Sequence, residues 1–218
     1  MRKDAASVMP VGIVNANFMK SAPGTLILSL ILVATFGIEI YTHNMGNEVA
    51  LLGLGALPGD GHLNGEYWRL ITYAFLHFNN MHLILNLALL LWVGRIVERR
   101  VGIARAALIY GVSILISGIA ILIKDSLYPA PGSSVGASGG IFGLLAAALI
   151  LVYRRDMATF GQDRGLRMGL WICVGIGIGM SFLPGVSFAG HLGGLISGLI
   201  LGVIITTGQD AAWLRVRK

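Results

Sequence analysis

Charge is what this sequence has least of. Only 12% of its 218 residues are Asp, Glu, Lys or Arg, about half the share of an ordinary water-soluble domain. With 56% apolar residues and a mean hydropathy of +0.79, the chain has too little polar surface to cover a core, which excludes a soluble fold. Cysteine is nearly missing as well. The single Cys173 lies in an apolar run, which excludes an internal disulfide framework and a cysteine-based metal cluster. A short apolar stretch of signal-peptide type before residue 25 is lacking, as is an Arg-rich, Ser-rich leader. The first apolar run is therefore read as an uncleaved helix, and the expected location is the cell (plasma or inner) membrane.

What the chain has instead is long apolar runs and 31 glycines. Six runs, near 25–42, 81–96, 104–123, 138–153, 167–184 and 189–207, approach the length needed to cross a hydrocarbon core of about 30 Å. The 16 basic residues orient them. Arg2, Lys3 and Lys20 precede the first run; Arg95, Arg99, Arg100 and Arg105 surround the joint between the second and third. Arg154, Arg155, Arg164 and Arg167 follow the fourth, and Arg215, Arg217 and Lys218 close the chain. Only Arg69 and Lys124 fall in the other three loops, a division of 14 against 2. Basic residues collect on the cytoplasmic side, so this alternation predicts six helices with both termini in the cytoplasm. An odd number of spans would destroy it. The net charge of +6 is then topological, and no nucleic-acid partner is expected.

The organisation that follows is an all-α membrane bundle. A cytoplasmic segment 1–24 leads into a six-helix domain over 25–207, and a cytoplasmic tail covers 208–218. One long outer loop, 43–80, carries Leu51, Leu57, Tyr67 and Trp68 among its glycines. Trp and Tyr favour the headgroup level, so the loop is expected to lie in the interface against the bundle.

Polar residues inside apolar spans are costly and are candidates for function. His82 and Asn86 start the second run, Ser138 the fourth and His191 the sixth. Those three runs all cross from outside to inside, which puts the four residues at one level near the outer face. The four-residue spacing of His82 and Asn86 places both on one side of a helix. An interhelical hydrogen bond of about 0.6 kcal/mol would account for that pair alone, and a satisfied structural histidine for His191 alone.

Ser138 sits in Gly136-Ala137-Ser138-Gly139-Gly140, a G-x-S-x-G without the strand and soluble sheet that usually surround a nucleophile elbow. The acids between Ser138 and His191 are Asp156 and Asp163, both in a loop assigned to the cytoplasm, so a Ser-Asp-His triad is excluded by topology. A serine activated by one histidine remains. The imidazole would take the hydroxyl proton, while His82, Asn86 and the Ser138 N–H at a helix start could hold a tetrahedral oxyanion. Phe142, one turn after Ser138, could support the His191 ring by stacking. Gly190, Gly194, Gly198 and Gly202 recur every four residues in the sixth run, as do Gly139 and Gly143 in the fourth. Such stripes let helices approach closely, which would bring Ser138 to His191.

These residues resemble the rhomboid family of intramembrane serine proteases over about residues 25–207. The family's G-x-S-G appears as Gly136 to Gly139, its final-helix histidine with spaced glycines as His191, Gly193, Gly194 and Gly198, and its second-helix H-x-x-x-N as His82 to Asn86. Its first-loop Trp-Arg pair is Trp68-Arg69, the histidine before the second helix is His77, and the Glu-Arg pair after it is Glu98 with Arg99 or Arg100. The resemblance implies Ser138 as nucleophile and His191 as base, with His82, Asn86 and Gly136 binding the oxyanion and substrate. Phe142, Gly194, Gly198, Trp68 and Arg69 would support them. Gly190 stands where many members have alanine, and Phe142 replaces the tyrosine of some. Both catalytic positions are filled.

The expected activity is a serine endopeptidase acting through an acyl-enzyme on transmembrane-anchored proteins near the outer face of the lipid bilayer, with no metal and no cofactor. One alternative is a non-catalytic protein of the same fold that binds membrane clients. A small transporter is the other. It calls for intramembrane charges in paired halves, whereas Glu39 is the main charge within the spans.

Overall fold

Pro23, whose missing N–H costs nothing at a helix start, opens helix α1 (Pro23–Tyr41). The computed structural model describes residues 22–129, 131–154, 164–183 and 185–216. The first N–H groups of α1 have no partner within the helix, and lipid cannot supply one. Glu98 does: its carboxylate accepts from Gly24 N at 2.8 Å and from Thr25 N and Oγ1, each at 2.7 Å. A negative group at a helix N-terminus also suits the helix dipole. Near the other end, the fully buried Glu39 accepts from the His77 N–H at 3.0 Å. Glu39, the main charge that the sequence places within the spans, is thus used to fasten the loop before the second span.

The outer loop folds into a layer of its own. Asn47 caps α2 (Glu48–Leu54) by accepting from Ala50 N, and Gly55 ends it in the left-handed conformation at φ 106°. Strand β1 (Leu57–Pro58) pairs antiparallel with β2 (Ser133–Ser134). Next come α3 (Arg69–Thr72) and a 3-10 turn, Tyr73–Phe75. Arg69 Nη1 donates to the carbonyls of Leu52 at 2.6 Å and Ala56 at 2.8 Å, and Arg69 pairs with Glu66 at 2.7 Å. Leu51, Ala56 and Leu76 form a small buried cluster beneath. Tyr67 and Trp68 point outward, 71% and 55% exposed, as side chains at a headgroup level do.

The second span starts at α4 (Asn80–Leu89), passes through one π-helical segment, Leu90–Gly94, and continues as α5 (Arg95–Val101). Gly94 lies under Thr25 of α1, where an added Cβ would stand 3.0 Å from the threonine side chain. After them come α6 (Ile103–Leu127), α7 (Ser138–Arg154), α8 (Arg164–Met180) and α9 (Phe188–Val216). Among the described residues, four stretches, Pro23–Tyr41, Asn80–Val101, Ile103–Leu127 and Phe188–Thr207, are long and apolar enough to cross a membrane. α7 and α8, at 17 residues, rise only about 26 Å each. The protein is a helical, multi-pass membrane bundle. Arg2, Lys3, Lys20, Arg155, Asp156, Asp163, Arg217 and Lys218 lie outside the described residues.

Helix α7 is the centre. Ile141, Leu144, Leu145, Ala147, Ala148 and Leu151 are buried, while Ile27, Leu30, Trp171 and Ile200 on other helices face outward as lipid-exposed apolar residues do. α9 lies against α7 along a glycine seam. A Cβ on Gly194 would run into the Gly139 carbonyl, and one on Gly198 into the Gly143 carbonyl. From the other side α6 brings Ser117 and Ser113 against Gly139 and Gly143, and Ser197 of α9 donates to Ser113 Oγ at 2.9 Å.

Neither backbone can yield at the seam without parting the helices. Gly198→Val is expected to cost at least about 3 kcal/mol, the upper end of core overpacking. Leu199→Val, at a position 41% exposed, should change little. Thermal unfolding of the two variants in detergent checks this, and comparable melting temperatures would show that the seam tolerates a side chain.

Candidate active site

Ser138 is the first residue of α7, and the turn before it depends on Gly136. Gly136 has φ +131°, strained for any side chain, and its N–H donates to the Tyr73 carbonyl at 2.9 Å. An added Cβ there would also stand 2.7 Å from His82 Cε1. A glycine is what lets the chain pass against the His82 ring and deliver Ser138 to the helix start. The half-buried Ser138 Oγ then lies 3.0 Å from Nε2 of His191, in the first turn of α9. The glycine seam sets this separation.

The His191 ring is held on three sides. Phe142 stacks on it, with ring centroids 4.1 Å apart and planes within 9°. Gly177 of α8 makes room for Phe142, whose Cζ occupies the space a Cβ would take. On the edge away from Ser138, Nδ1 of His191 lies 2.6 Å from Oγ of Ser181, which itself donates to the Gly177 carbonyl at 2.8 Å. Ser181 is absent from the sequence reading. It follows α8 directly and is a polar residue within the predicted fifth run, so the same scan for polar residues in spans could have found it. Among the described residues, the bonded partners of the two ring nitrogens are serine hydroxyls; Asp156 and Asp163 lie outside that set.

His82 and Asn86 share one face of α4, as their spacing predicts. Asn79 accepts from the His82 N–H at 2.9 Å, which positions the first turn. Asn86 Nδ2 donates to the His82 carbonyl at 2.8 Å, so one amide hydrogen is used within the helix and the second is left for the site. Both residues line a cavity of 460 Å³ with Ser138 and His191, walled by Trp92 of the π segment and Ile176 of α8. A second, more polar cavity of 380 Å³ reaches the same serine and histidine from the outer loop, past Glu48, Asn79 and Ser187. The arrangement offers an apolar groove and a hydrophilic opening, meeting at a paired serine and imidazole. Trp68 and Arg69 do not join the site; Arg69 fastens the outer loop instead. Gly194 and Gly198 act through the seam. Among the described residues, no three His, Cys, Asp or Glu side chains converge as a metal site would require.

A family model described as a rhomboid domain matches residues 64–208. RHOMBOID-like protein 4 of Arabidopsis thaliana is 33% identical over 153 residues, 70% of this chain and 38% of the relative. RHOMBOID-like protein 6, mitochondrial, of the same plant is 34% identical over 76% of this chain and 52% of its own length. The rhomboid protease GluP of Bacillus subtilis (strain 168) is 35% identical over 188 residues, 86% of this chain and 36% of the relative. The chain spans about a third to a half of the length of the curated relatives it matches.

The loop histidine His77 supplies a pH handle. Its ring is fully buried, edge-on to His82 with centroids 5.1 Å apart. Burial first, and the neighbouring His82 second, push it from the ordinary 6.5 down to about 3, against the pull of the Phe75 carbonyl. The folded protein therefore holds His77 neutral where the unfolded chain would protonate it. Stability from this residue is full above about pH 6.5 and falls by up to about 1.4 kcal/mol per pH unit as the pH drops toward 3. His77→Phe keeps the ring and removes the titration. Its melting temperature in detergent is expected to decline less than the wild type's between pH 6.5 and 4; parallel curves would exclude His77 as the source.

Proposed function

The chain belongs to the rhomboid family, and from that premise we propose that it is an intramembrane serine endopeptidase that cleaves transmembrane-anchored proteins near the outer membrane face. The observation that carries this is the 3.0 Å pairing of Ser138 Oγ with His191 Nε2, between residues 53 positions apart on two helices. A lone serine or histidine at a helix start needs no such partner.

The reaction follows from the pairing. Ser138 Oγ attacks the scissile carbonyl carbon as its proton passes to His191 Nε2. The tetrahedral oxyanion is held by donors from His82 and Asn86, by the Ser138 N–H at the head of α7, and by the backbone around Gly136. Collapse breaks the C–N bond, and His191 returns its proton to the leaving amine, leaving an ester on Ser138. Water entering by the polar cavity gives a proton to His191 and attacks the ester, and the proton then restores the Ser138 hydroxyl. These steps use no cofactor. The stacked Phe142 ring supports the imidazolium in place of an acidic third member.

The substrate is a membrane-anchored segment lying in the apolar groove. Peptide bonds in a regular helix are shielded by their own hydrogen bonds, so the segment must unwind locally, which favours small or helix-breaking residues near the cleaved bond. In this reading α7 and α8 also cross the bilayer, giving six spans with both termini cytoplasmic. The protease domain covers 25–207 between cytoplasmic segments 1–24 and 208–218, in the cell membrane.

Ser138→Ala should reduce cleavage of a single-pass reporter at least about 10⁴-fold while leaving expression and melting temperature unchanged. A serine-reactive fluorophosphonate should label the wild type and neither Ser138→Ala nor His191→Ala. Retained cleavage by Ser138→Ala refutes the assignment, and a folded wild type that cannot be labelled favours a client-binding role.

A further inference from the structure

Ser181 has one hydrogen and two neighbours that want it. Its Oγ lies 2.8 Å from the Gly177 carbonyl oxygen and 2.6 Å from Nδ1 of His191. A carbonyl can only accept, whereas an imidazole nitrogen can accept or donate. Both bonds form together in one way: the Ser181 O–H donates to the Gly177 carbonyl, and Oγ accepts from the His191 Nδ1–H. A neutral imidazole carries a single N–H, so Nε2 is then bare, 3.0 Å from Ser138 Oγ.

We infer that Ser181 is a positioning residue that fixes His191 in the tautomer able to take the Ser138 proton. The inference rests on the reading of Ser138 and His191 as nucleophile and base. In the other tautomer the N–H would sit on Nε2 and point at the serine hydroxyl, and Nδ1 would compete with Gly177 for the one Ser181 hydrogen. Ser181 is 5% exposed and His191 7%, so bulk water does not readily settle that competition. The serine is itself anchored to the last turn of α8, which it follows directly, its N–H donating to the carbonyls of Gly177 at 3.2 Å and Ile178 at 3.1 Å. Phe142 fixes the plane of the ring, and Ser181 fixes its rotation about the stacking axis. When His191 gains the Ser138 proton, its Nδ1–H is already paired with an oxygen whose own hydrogen points away. A neutral hydroxyl on α8 thus does what a carboxylate does for the histidine of a triad, orienting and selecting the tautomer, without placing a charge in the bundle.

The test uses the full chain in detergent micelles. Nitrogen-15 NMR of the wild type, at a pH where the imidazole is neutral, is expected to show His191 Nδ1 protonated and Nε2 bare; the opposite assignment overturns the inference without any variant. Ser181→Ala should shift the two signals toward a tautomer mixture and slow fluorophosphonate labelling of Ser138 by about 10- to 100-fold, by analogy with metal-bound imidazoles that lose their orienting partner. Ser181→Thr, which keeps the Oγ, should recover most of the rate. On a reporter substrate the loss should fall on kcat, with KM within about twofold. Labelling of Ser181→Ala at the wild-type rate, with His191→Ala unreactive, overturns the role of Ser181 and leaves the dyad standing. Equal labelling of His191→Ala and wild type instead overturns the dyad, and the NMR signals still report the tautomer.

Discussion

Two helices without side chains at their contact are the constraint from which the rest follows. α7 and α9 approach until Gly194 meets the Gly139 carbonyl and Gly198 the Gly143 carbonyl, a distance that no residue with a Cβ could share. In lipid, where apolar burial between helices gives little gain, such close backbone packing is what holds helices together. The seam also sets the chemistry, since Ser138 and His191 stand at its outer end with their reactive atoms 3.0 Å apart. Packing and the Ser138–His191 pairing draw on one contact here, so a change that loosens the bundle at Gly194 also moves the imidazole.

Around that seam, charge is used sparingly, and three charged side chains serve backbone groups. Glu98 satisfies the first N–H groups of α1, Glu39 takes the N–H of His77, and Arg69 gathers two carbonyls of the outer loop. Each meets a group that lipid could not serve and that would be costly to leave unpaired. The low charged fraction is therefore put to specific use. The candidate site follows the same economy: two serine hydroxyls and an aromatic ring surround the His191 imidazole.

Much of this was legible in the chain. The long apolar runs match helices to within a few residues at most ends, because burial in lipid demands an unbroken apolar stretch whatever the neighbours. Ser138, His191, His82 and Asn86 stood out as candidates because polar residues in such runs are rare. The outer loop read correctly as apolar and aromatic, but its layered fold did not show. Arg69 binds carbonyls 13 and 17 residues away, and no local pattern announces those partners. The Glu98 contact was equally hidden, since a Glu-Arg sequence suggests a pair with its neighbour, whereas the carboxylate reaches the head of α1 more than 70 positions earlier. Ser181 escaped for a related reason. A serine near a helix end has many uses, and only its neighbours reveal which.

By itself the sequence determined the medium, the helices and the stock of reactive groups, since hydropathy, charge bias and motif spacing are properties of residues in order along the chain. Only the tertiary structure decided which of those groups meet. The 3.0 Å contact of Ser138 with His191, the stacking of Phe142 and the placing of Ser181 on the far ring nitrogen are distances between separate helices. Such distances depend on how closely backbones pack, and a row of glycines permits that approach without stating its partner, its register or its depth.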